Sequence, residues 1–75
     1  MVKDRIKECR KSLKVSQSKF GEMCGVGQVT VFQWEKGIGY PSGFRLITLS
    51  KLLGTTKAQL VDDIKAEKLL KFGSK

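Results

Sequence analysis

Apolar residues recur along most of the chain at intervals of three and four, the spacing that places side chains on one face of an α-helix. Glycines and hydroxyl residues interrupt this pattern and divide it into segments. The segments predict five short helices, at about 2–14, 16–25, 27–37, 43–53 and from 57 onward. No segment is convincing as a strand, so the predicted fold class is all-α. The residues predicted to face the core are Ile6, Cys9, Leu13, Phe20, Met23, Cys24, Val31, Trp34, Leu46, Ile47, Leu49, Leu53, Leu60, Val61 and Ile64.

The predicted helix ends follow from the chemistry of the residues that flank them. Ser16 is a good N-cap because its hydroxyl oxygen can accept a hydrogen bond from a free backbone N–H of the first turn. Gly25 and Gly37 end the second and third helices, where a residue that tolerates positive φ is favoured. Thr56 and Gln59 have the spacing of a capping box, in which the hydroxyl and the amide each bind a free backbone N–H.

The chain is small and strongly basic. Its 75 residues suffice for one domain, and 15 Lys and Arg against 7 Asp and Glu give a formal net charge of +8. The first 20 residues hold seven cations and two anions, a local net charge of +5. A charge of this size favours a polyanionic partner, with nucleic acid ahead of an anionic membrane. A charged surface that only improves solubility is the alternative.

The composition argues against an enzyme or a metalloprotein. The chain has no His, which removes the commonest general base and the commonest metal ligand. Cys9 and Cys24 are too few for a zinc site. Met1 is followed by charged residues and not by the long apolar run of a signal peptide, and no uncharged stretch is long enough to span a bilayer. We expect a cytoplasmic, non-enzymatic protein with reduced thiols, no cofactor, no metal and no membrane partner.

Residues 17–36 combine the features that two helices need to meet through a tight turn. The second helix must let the third approach closely, which requires a very small residue, and Gly21 lies at that position. The connection needs a left-handed residue, which Gly25 supplies. Apolar side chains must also fill the angle between the two helices. The residues spaced to do so are Phe20, Cys24, Val26, Val31 and Trp34.

This arrangement resembles the Cro and lambda-type repressor family of helix-turn-helix proteins, also called the xenobiotic-response-element family. The resemblance runs from residue 5 to about residue 61, and the matching residues are Arg10, Val15-Ser16-Gln17, Gly21, Gly25, Trp34-Glu35-Lys36-Gly37, Pro41 and Leu46 to Leu53. The chain departs from the family in having Gly21 where Ala is usual, Gly27 where Ser commonly caps the third helix, and Ser50 where Ala is common. The Gly21 departure is expected to cost about 1 kcal/mol of helix stability relative to Ala.

The resemblance implies a five-helix lambda-repressor-like domain with the helix-turn-helix at the second and third helices. It implies a sequence-specific transcriptional regulator, a phage Cro-like repressor, that binds a palindromic double-stranded DNA operator in a bacterial host cell. The regulator would act as a homodimer and use the major groove. The resemblance also implies a structural ion pair between Arg10 and Glu35, and a contact of Gln17 with the DNA backbone. Two alternatives are the isolated DNA-binding domain of a longer repressor or antitoxin, and a protein-binding adaptor on the same fold.

Helix geometry gives the face of the third helix that points away from the core. Each residue turns by about 100°, so an inner stripe at Val31 and Trp34 leaves the neighbouring positions on the outside. The N-terminal part of such a helix reaches base edges, and the glutamine amide matches the donor and acceptor of adenine. The residues predicted to read bases are Gln28, Val29, Phe32 and Gln33. An ordinary polar surface is the alternative.

DNA phosphates are expected on both sides of this helix. The start of the second helix offers free backbone N–H groups and the positive end of a helix dipole, and the loop before the fourth helix lies on the other side. The residues predicted to contact phosphates are Ser16, Gln17, Ser18, Lys19, Lys36, Tyr40, Ser42, Gly43 and Arg45. Lys36 has an alternative role, since a cation at a helix C-terminus also complements the dipole.

Residues 1–64 are predicted to form the helix-turn-helix domain, and residues 65–75 a basic C-terminal extension of the fifth helix. The apolar residues near this end exceed what so small a domain can bury by itself, which predicts a dimer contact. They are Leu60, Ile64, Leu69, Leu70 and Phe72. The alternatives are that the last of these fold back on the core of their own chain, or that the extension is a tail.

Overall fold

The computed structural model describes residues 1–72, apart from the side chain of Phe72. Over this range the chain forms five helices and no strand, which confirms the predicted all-α class. The helices are α1 (Val2–Ser12), α2 (Gln17–Cys24), α3 (Gln28–Lys36), α4 (Phe44–Leu53) and α5 (Lys57–Phe72).

Local capping chemistry fixes the helix ends at Ser16 and Gly25 as predicted, and at Thr56 in part. The Ser16 hydroxyl accepts a 3.0 Å hydrogen bond from the backbone N–H of Lys19 at the start of α2. Gly25 ends α2 in the left-handed conformation with a φ of 75°, a region that favours glycine. At the start of α5, the hydroxyl of Thr56 accepts from the backbone N–H of Gln59 at 3.1 Å. The Gln59 amide instead donates to Asp63 at 3.0 Å, so only the hydroxyl half of the predicted capping box is formed among the hydrogen bonds of residues 1–72.

The core collects one apolar stripe from each helix. The prediction of a core position is wrong for three residues, because Leu13, Met23 and Ile47 are 44%, 38% and 41% exposed. Leu13 lies just beyond the last residue of α1, and the other two lie beside the buried stripe of their helices. The buried apolar residues are Val2, Ile6, Phe20, Cys24, Val31, Trp34, Leu46, Leu49, Leu60 and Ile64.

Leu60 and Ile64 belong to this core and not to an outer face of α5. Their exposed fractions are 0% and 6% within a single chain. Burying a side chain of this size contributes about 2 kcal/mol to stability, so the domain needs both for its own folding. The prediction that these two residues form a dimer contact is therefore wrong.

Polar contacts tie α5 to α1 along the far side of the core. Arg5 donates to a carboxylate oxygen of Asp63 at 2.7 Å. One helical turn further along α5, the buried carboxylate of Glu67 accepts a 2.9 Å hydrogen bond from the backbone N–H of Val2. This N–H belongs to the first turn of α1 and has no partner within its own helix, so Glu67 provides the cap that Met1 does not.

No helix in the described range is long and apolar enough to cross a membrane. Cys9 and Cys24 are free thiols, and burial raises the pKa of both thiols. Protonated, buried thiols are poor nucleophiles. Residues 1–72 bring together no three His, Cys, Asp or Glu side chains that could hold a metal ion.

Candidate functional site

The turn between α2 and α3 is very tight at Gly21. A Cβ at this position would lie 2.7 Å from the carbonyl oxygen of Val26 and 3.1 Å from that of Gly27. Both neighbours are backbone atoms and cannot move without shifting the turn itself. The predicted close approach of α2 and α3 at Gly21 is therefore present. The expectation that Gly21 makes the domain less stable than Ala would is wrong. Alanine would improve helix propensity, but it would collide with the turn in this chain.

The tight turn holds α3 with one face in the core and the other in solvent. Val31 and Trp34 are 0% and 3% exposed, whereas Val29 and Phe32 are 65% and 41% exposed. The outward positions predicted from helix geometry are therefore on the outside. The candidate base-reading residues, all solvent-exposed, are Gln28, Val29, Phe32 and Gln33.

A chain of hydrogen bonds joins α1 to the end of α3, then to the start of α2, and from there to the start of α3. Arg10 binds both carboxylate oxygens of Glu35, through Nε at 2.6 Å and through a terminal nitrogen at 3.1 Å. The amide of Gln17 donates to Glu35 Oε1 at 3.2 Å. The amide of Gln28 in turn donates to Gln17 Oε1 at 2.7 Å. Two residues predicted to touch DNA are thus connected to the structural ion pair, a link that the sequence did not predict.

The ion pair is shielded and strongly hydrogen-bonded. The side chains of Arg10 and Glu35 are only 15% and 4% exposed. Burial alone would raise the pKa of the Glu35 carboxyl, but hydrogen bonds from Arg10 and Gln17 together with the Arg10 charge hold this pKa below its usual range. The hydrogen bond from Arg10 to Glu35 raises the pKa of the guanidinium. Both groups stay charged, and the pair fixes α1 against α3.

The candidate phosphate-binding residues form two groups beside α3. Ser16, Ser18 and Lys19 are exposed at the first turn of α2, and Gln17 is half-buried there because its amide lies between Gln28 and Glu35. The second group borders an open cleft of about 480 Å³ between the α2–α3 turn and the loop that precedes α4. The residues lining this cleft are Gly25, Val26, Gly27, Thr30, Trp34, Tyr40, Pro41, Ser42 and Arg45.

The remaining two phosphate candidates lie at helix ends. Gly43 is the N-cap of α4 and has a φ of 61°, in the left-handed range where glycine is favoured. Lys36 is exposed at the end of α3, with its ammonium 5.6 Å from the centre of the Phe32 ring. It is within reach of solvent for either role predicted for it, phosphate binding or dipole complementation.

Three residues near these groups were missed by sequence reasoning. Thr30 lines the cleft beside the first turn of α3. Phe44 is 62% exposed, and the guanidinium of Arg45 lies 4.9 Å from the centre of its ring. Lys68 of α5 lies 5.2 Å from the centre of the Tyr40 ring. Only the exposed Phe-Arg pair at the start of α4 had a signal in the sequence, since the partners of the other two are distant along the chain.

Tyr40 is held as a neutral hydrogen-bond donor. Burial, and then the charge of Glu67, raise the pKa of its hydroxyl. A protonated phenol can donate to a phosphate oxygen. With the free N–H groups at the start of α2 and the Arg45 guanidinium at the cleft, the surface that carries α3 can bind a polyanion on both sides of that helix.

Comparison with known proteins identifies this arrangement. The helix-turn-helix family matches residues 6–60. The chain is 42% identical over 53 residues to repressor protein C2 of Salmonella phage P22, covering 71% of this chain and 24% of that protein. It is 38% identical over 52 residues to the HTH-type transcriptional regulator DicA of Escherichia coli strain K12, covering 69% of this chain and 38% of that protein. The chain thus spans less than half the length of these relatives.

Solved structures agree with the sequence relatives. The crystal structure of the P22 c2 repressor in complex with a synthetic operator superposes with a TM-score of 0.70 at 38% identity, covering 80% of this chain and 91% of that chain. The NMR structure of the DNA-binding domain of the same repressor gives a TM-score of 0.67 at 38% identity, covering 81% and 80%. These relatives are a phage repressor and a transcriptional regulator, and the repressor is seen bound to operator DNA. The chain therefore belongs to the Cro/C1-type helix-turn-helix family and is a repressor-like DNA-binding domain.

Proposed function

We propose that this chain represses transcription by inserting α3 into the major groove of a specific, roughly palindromic operator. The observation that carries the proposal is the division of α3 into two faces. Val31 and Trp34 fix the helix in the core, and the opposite face presents a row of exposed amides and apolar groups. A helix fits the major groove, where each base pair has a distinct pattern of donors, acceptors and methyl groups.

Two kinds of base contact fit the exposed face of α3. Gln28 and Gln33 have amides that can bind adenine through its N6 and N7 atoms. Val29 and Phe32 are apolar, and the C5-methyl of thymine is the apolar feature of the major groove. Exposed apolar residues that the core does not use are explained by such a partner, whereas they have no favourable role in water.

The proposed phosphate contacts fix the register of α3 on the duplex. Ser16, Gln17, Ser18 and Lys19 at the start of α2 face one strand, and the residues around the cleft face the other. Contacts to phosphates supply most of the affinity without reading the sequence. The basic character of the chain, with a net charge of +8, supports this part of the proposal.

A palindromic operator requires two copies of the domain. One recognition helix reads too few bases to specify a site, and half-sites about 10 base pairs apart present the same face of the duplex to both copies. Leu69 and Leu70 are 71% and 68% exposed on α5, so they do not fold back on their own core. We place the dimer contact at these two residues. The side chain of Phe72, which also belonged to the predicted contact, lies outside the described residues.

The function is tested by selecting bound DNA from a random duplex pool. We expect a two-fold symmetric site, with binding that weakens as salt increases. Gln28→Ala and Gln33→Ala should relax the preference at single positions of each half-site. Gln59→Ala, which removes the same amide from α5, is the matched control. Recovery of no preferred sequence would refute the proposal, and so would binding that is insensitive to salt, which would favour a protein-binding adaptor.

The dimer contact has its own test. Replacing both Leu69 and Leu70 with Ser should reduce cooperative binding to a two-half-site operator and leave binding to an isolated half-site unchanged. Leu13→Ser is the control, because it removes a 44% exposed leucine at the end of α1, away from the proposed contact. A footprint over one half-site at saturating protein would count against a dimer on DNA.

A further inference from the structure

We propose that the last turns of α5 position the DNA-contacting loop at 37–42, with Lys68 and Lys71 as positioning residues for operator binding. The inference rests on the proposed function, since it assigns a role in operator binding to residues outside the helix-turn-helix. It differs from the expectation that residues 65–75 serve only as a dimer contact or a tail.

The first contact joins α5 to the end of the recognition helix. Lys71 Nζ donates a 2.6 Å hydrogen bond to the carbonyl oxygen of Gly37. Gly37 is the C-cap of α3, and its carbonyl lies at the negative end of the helix dipole, where a cation is favoured. The next residue, Ile38, donates its backbone N–H to the carbonyl of Gln33 at 3.1 Å. Lys71 therefore binds the turn that ends α3 and starts the loop.

The second contact reaches the loop itself. The ammonium of Lys68 lies 5.2 Å from the centre of the Tyr40 ring, within the range of a cation–π interaction. Lys68 and Lys71 are three residues apart and so share one side of α5. From that side they contact the beginning and the middle of the loop.

Glu67 anchors the turn of α5 that carries these two lysines. Its carboxylate is buried, and it binds the backbone N–H of Val2 at 2.9 Å. The turn of α5 that carries the lysines is thus attached to α1, which is itself joined to α3 by the Arg10–Glu35 ion pair. The loop is held from outside by a helix that the core, the Arg5–Asp63 ion pair and the Val2–Glu67 hydrogen bond keep in place.

Holding the loop before DNA arrives lowers the cost of binding. The loop contains Gly37 and Gly39, and glycine loses more conformational freedom than other residues when it is ordered. A loop that is already ordered does not pay this entropy at the moment of association. The loop residues that benefit are Tyr40 and Ser42, which we propose contact phosphates.

The test compares three lysine-to-methionine variants of the full chain. Lys71→Met and Lys68→Met each remove one charge and a positioning contact. Lys65→Met removes one charge from an exposed lysine of the same helix and is the matched control. We expect operator affinity to fall by about three- to tenfold for Lys71→Met and less for Lys68→Met. Lys65→Met should stay within about twofold of the wild type.

Two further measurements separate positioning from direct phosphate contact. In free protein, amide exchange of Ile38 should be faster in Lys71→Met than in the wild type or in Lys65→Met, while the thermal midpoint stays within a few degrees. The salt dependence of binding should keep its slope, because a residue that contacts no phosphate releases no counterion. Lys71→Arg, which can still donate to the Gly37 carbonyl, should restore affinity and slow exchange.

A mutant cycle with Tyr40→Phe completes the test, since this variant keeps the ring and removes only the hydroxyl. If Lys71 acts through the loop, the Tyr40→Phe loss should be smaller in the Lys71→Met background than in the wild type. Equal losses for Lys71→Met and Lys65→Met, or a salt slope reduced only in Lys71→Met, would overturn the positioning role. If the wild-type protein selects no operator, the proposed function is refuted. If an operator is selected and Lys71→Met binds it as tightly as the wild type does, only this inference is refuted.

Discussion

The amide nitrogen of Gln28 donates a 2.7 Å hydrogen bond to the side-chain oxygen of Gln17. This bond joins the first turn of α3 to the first turn of α2. A glutamine amide has two N–H groups and one carbonyl, so Gln28 keeps one donor and its acceptor for another partner. Adenine needs one donor for N7 and one acceptor for N6. The hydrogen bond to Gln17 therefore fixes Gln28 and still leaves one donor and one acceptor for the proposed adenine contact.

This relationship predicts that Gln17 acts partly through Gln28. Gln17→Ala should weaken operator binding by about 1–3 kcal/mol, because it removes a phosphate contact and the orientation of Gln28. Gln28→Ala should cost a similar amount, and the double variant less than the sum. Fluorescence anisotropy with labelled operator measures all three affinities, and Glu22→Gln, at an exposed position of α2 outside the proposed contacts, is the control. Additive losses would mean that the two glutamines act independently.

The Arg10–Glu35 pair predicts a coupled loss of stability. Replacing either residue with Ala should lower the free energy of unfolding by about 1–3 kcal/mol, because the remaining charge stays shielded without its partner. The variant that lacks both should lose less than the two single losses together. Urea unfolding followed by Trp34 fluorescence gives these values. Losses that simply add would contradict an energetic interaction between the two side chains.

Acid should destabilise the domain through Glu35. Hydrogen bonds from Arg10 and Gln17 outweigh burial and lower the pKa of this carboxyl in the folded state. Its contribution to stability is therefore present above the unfolded pKa of about 4.3 and is lost as the pH falls through the lower, folded value. The urea midpoint should decrease steeply below about pH 4 in the wild type. The urea midpoint should decrease less in Glu35→Gln, and Glu22→Gln, at an exposed position, is the control. Equal pH profiles for the wild type and Glu35→Gln would contradict the role of Glu35.

The α2–α3 turn predicts opposite effects for two glycine replacements. Gly21→Ala should lower the thermal midpoint, because its Cβ would lie 2.7 Å from the Val26 carbonyl oxygen, and the collision should exceed the helix-propensity gain of about 1 kcal/mol. Gly27→Ser has open space for its side chain and adds a capping oxygen at the start of α3. It should raise the free energy of unfolding by roughly a few tenths of a kcal/mol. A higher midpoint for Gly21→Ala would show that the turn relaxes at little cost.

Local chemistry explains why much of this fold could be predicted from the sequence. Ser16 fixes a helix end through its hydroxyl, and Gly25 and Gly37 do so through their left-handed backbones. The three- and four-residue spacing fixes which side of α3 is buried. Arg10 and Glu35 are 25 residues apart in sequence, and only the family resemblance predicted their contact. The resemblance carried residue roles that spacing alone does not give.

The contacts of α5 could not be predicted, because they depend on how the helix rotates against α1. The Arg5–Asp63 and Val2–Glu67 contacts join residues 58 and 65 positions apart. They set a rotation that puts Leu60 and Ile64 into the core and leaves Leu69 outside. Apolar spacing along α5 is compatible with more than one rotation, which is why buried and exposed leucines were assigned together to a dimer contact.

The exposed side chain of Val29 gives the sharpest test of base reading. Val29 is 65% exposed near the start of α3, and the core does not use it. If it packs on a thymine methyl, Val29→Ala should cost about 1–3 kcal/mol on the selected operator and much less on random DNA. Phe32 is a less direct candidate, because it is 41% exposed and its ring lies 5.6 Å from the Lys36 ammonium.

Removing the methyl from the DNA is the matching change on the other side of this contact. Replacing the contacted thymine with uracil should reproduce most of the Val29→Ala loss in the wild type, since only the methyl is lost. The same replacement should have no effect on the Val29→Ala variant, because the contact is already absent. The thermal midpoint and helix content of Val29→Ala, measured beside the wild type without DNA, control for damage to α3. Equal losses for Val29→Ala on operator and random DNA would show that Val29 supports the fold and reads no base.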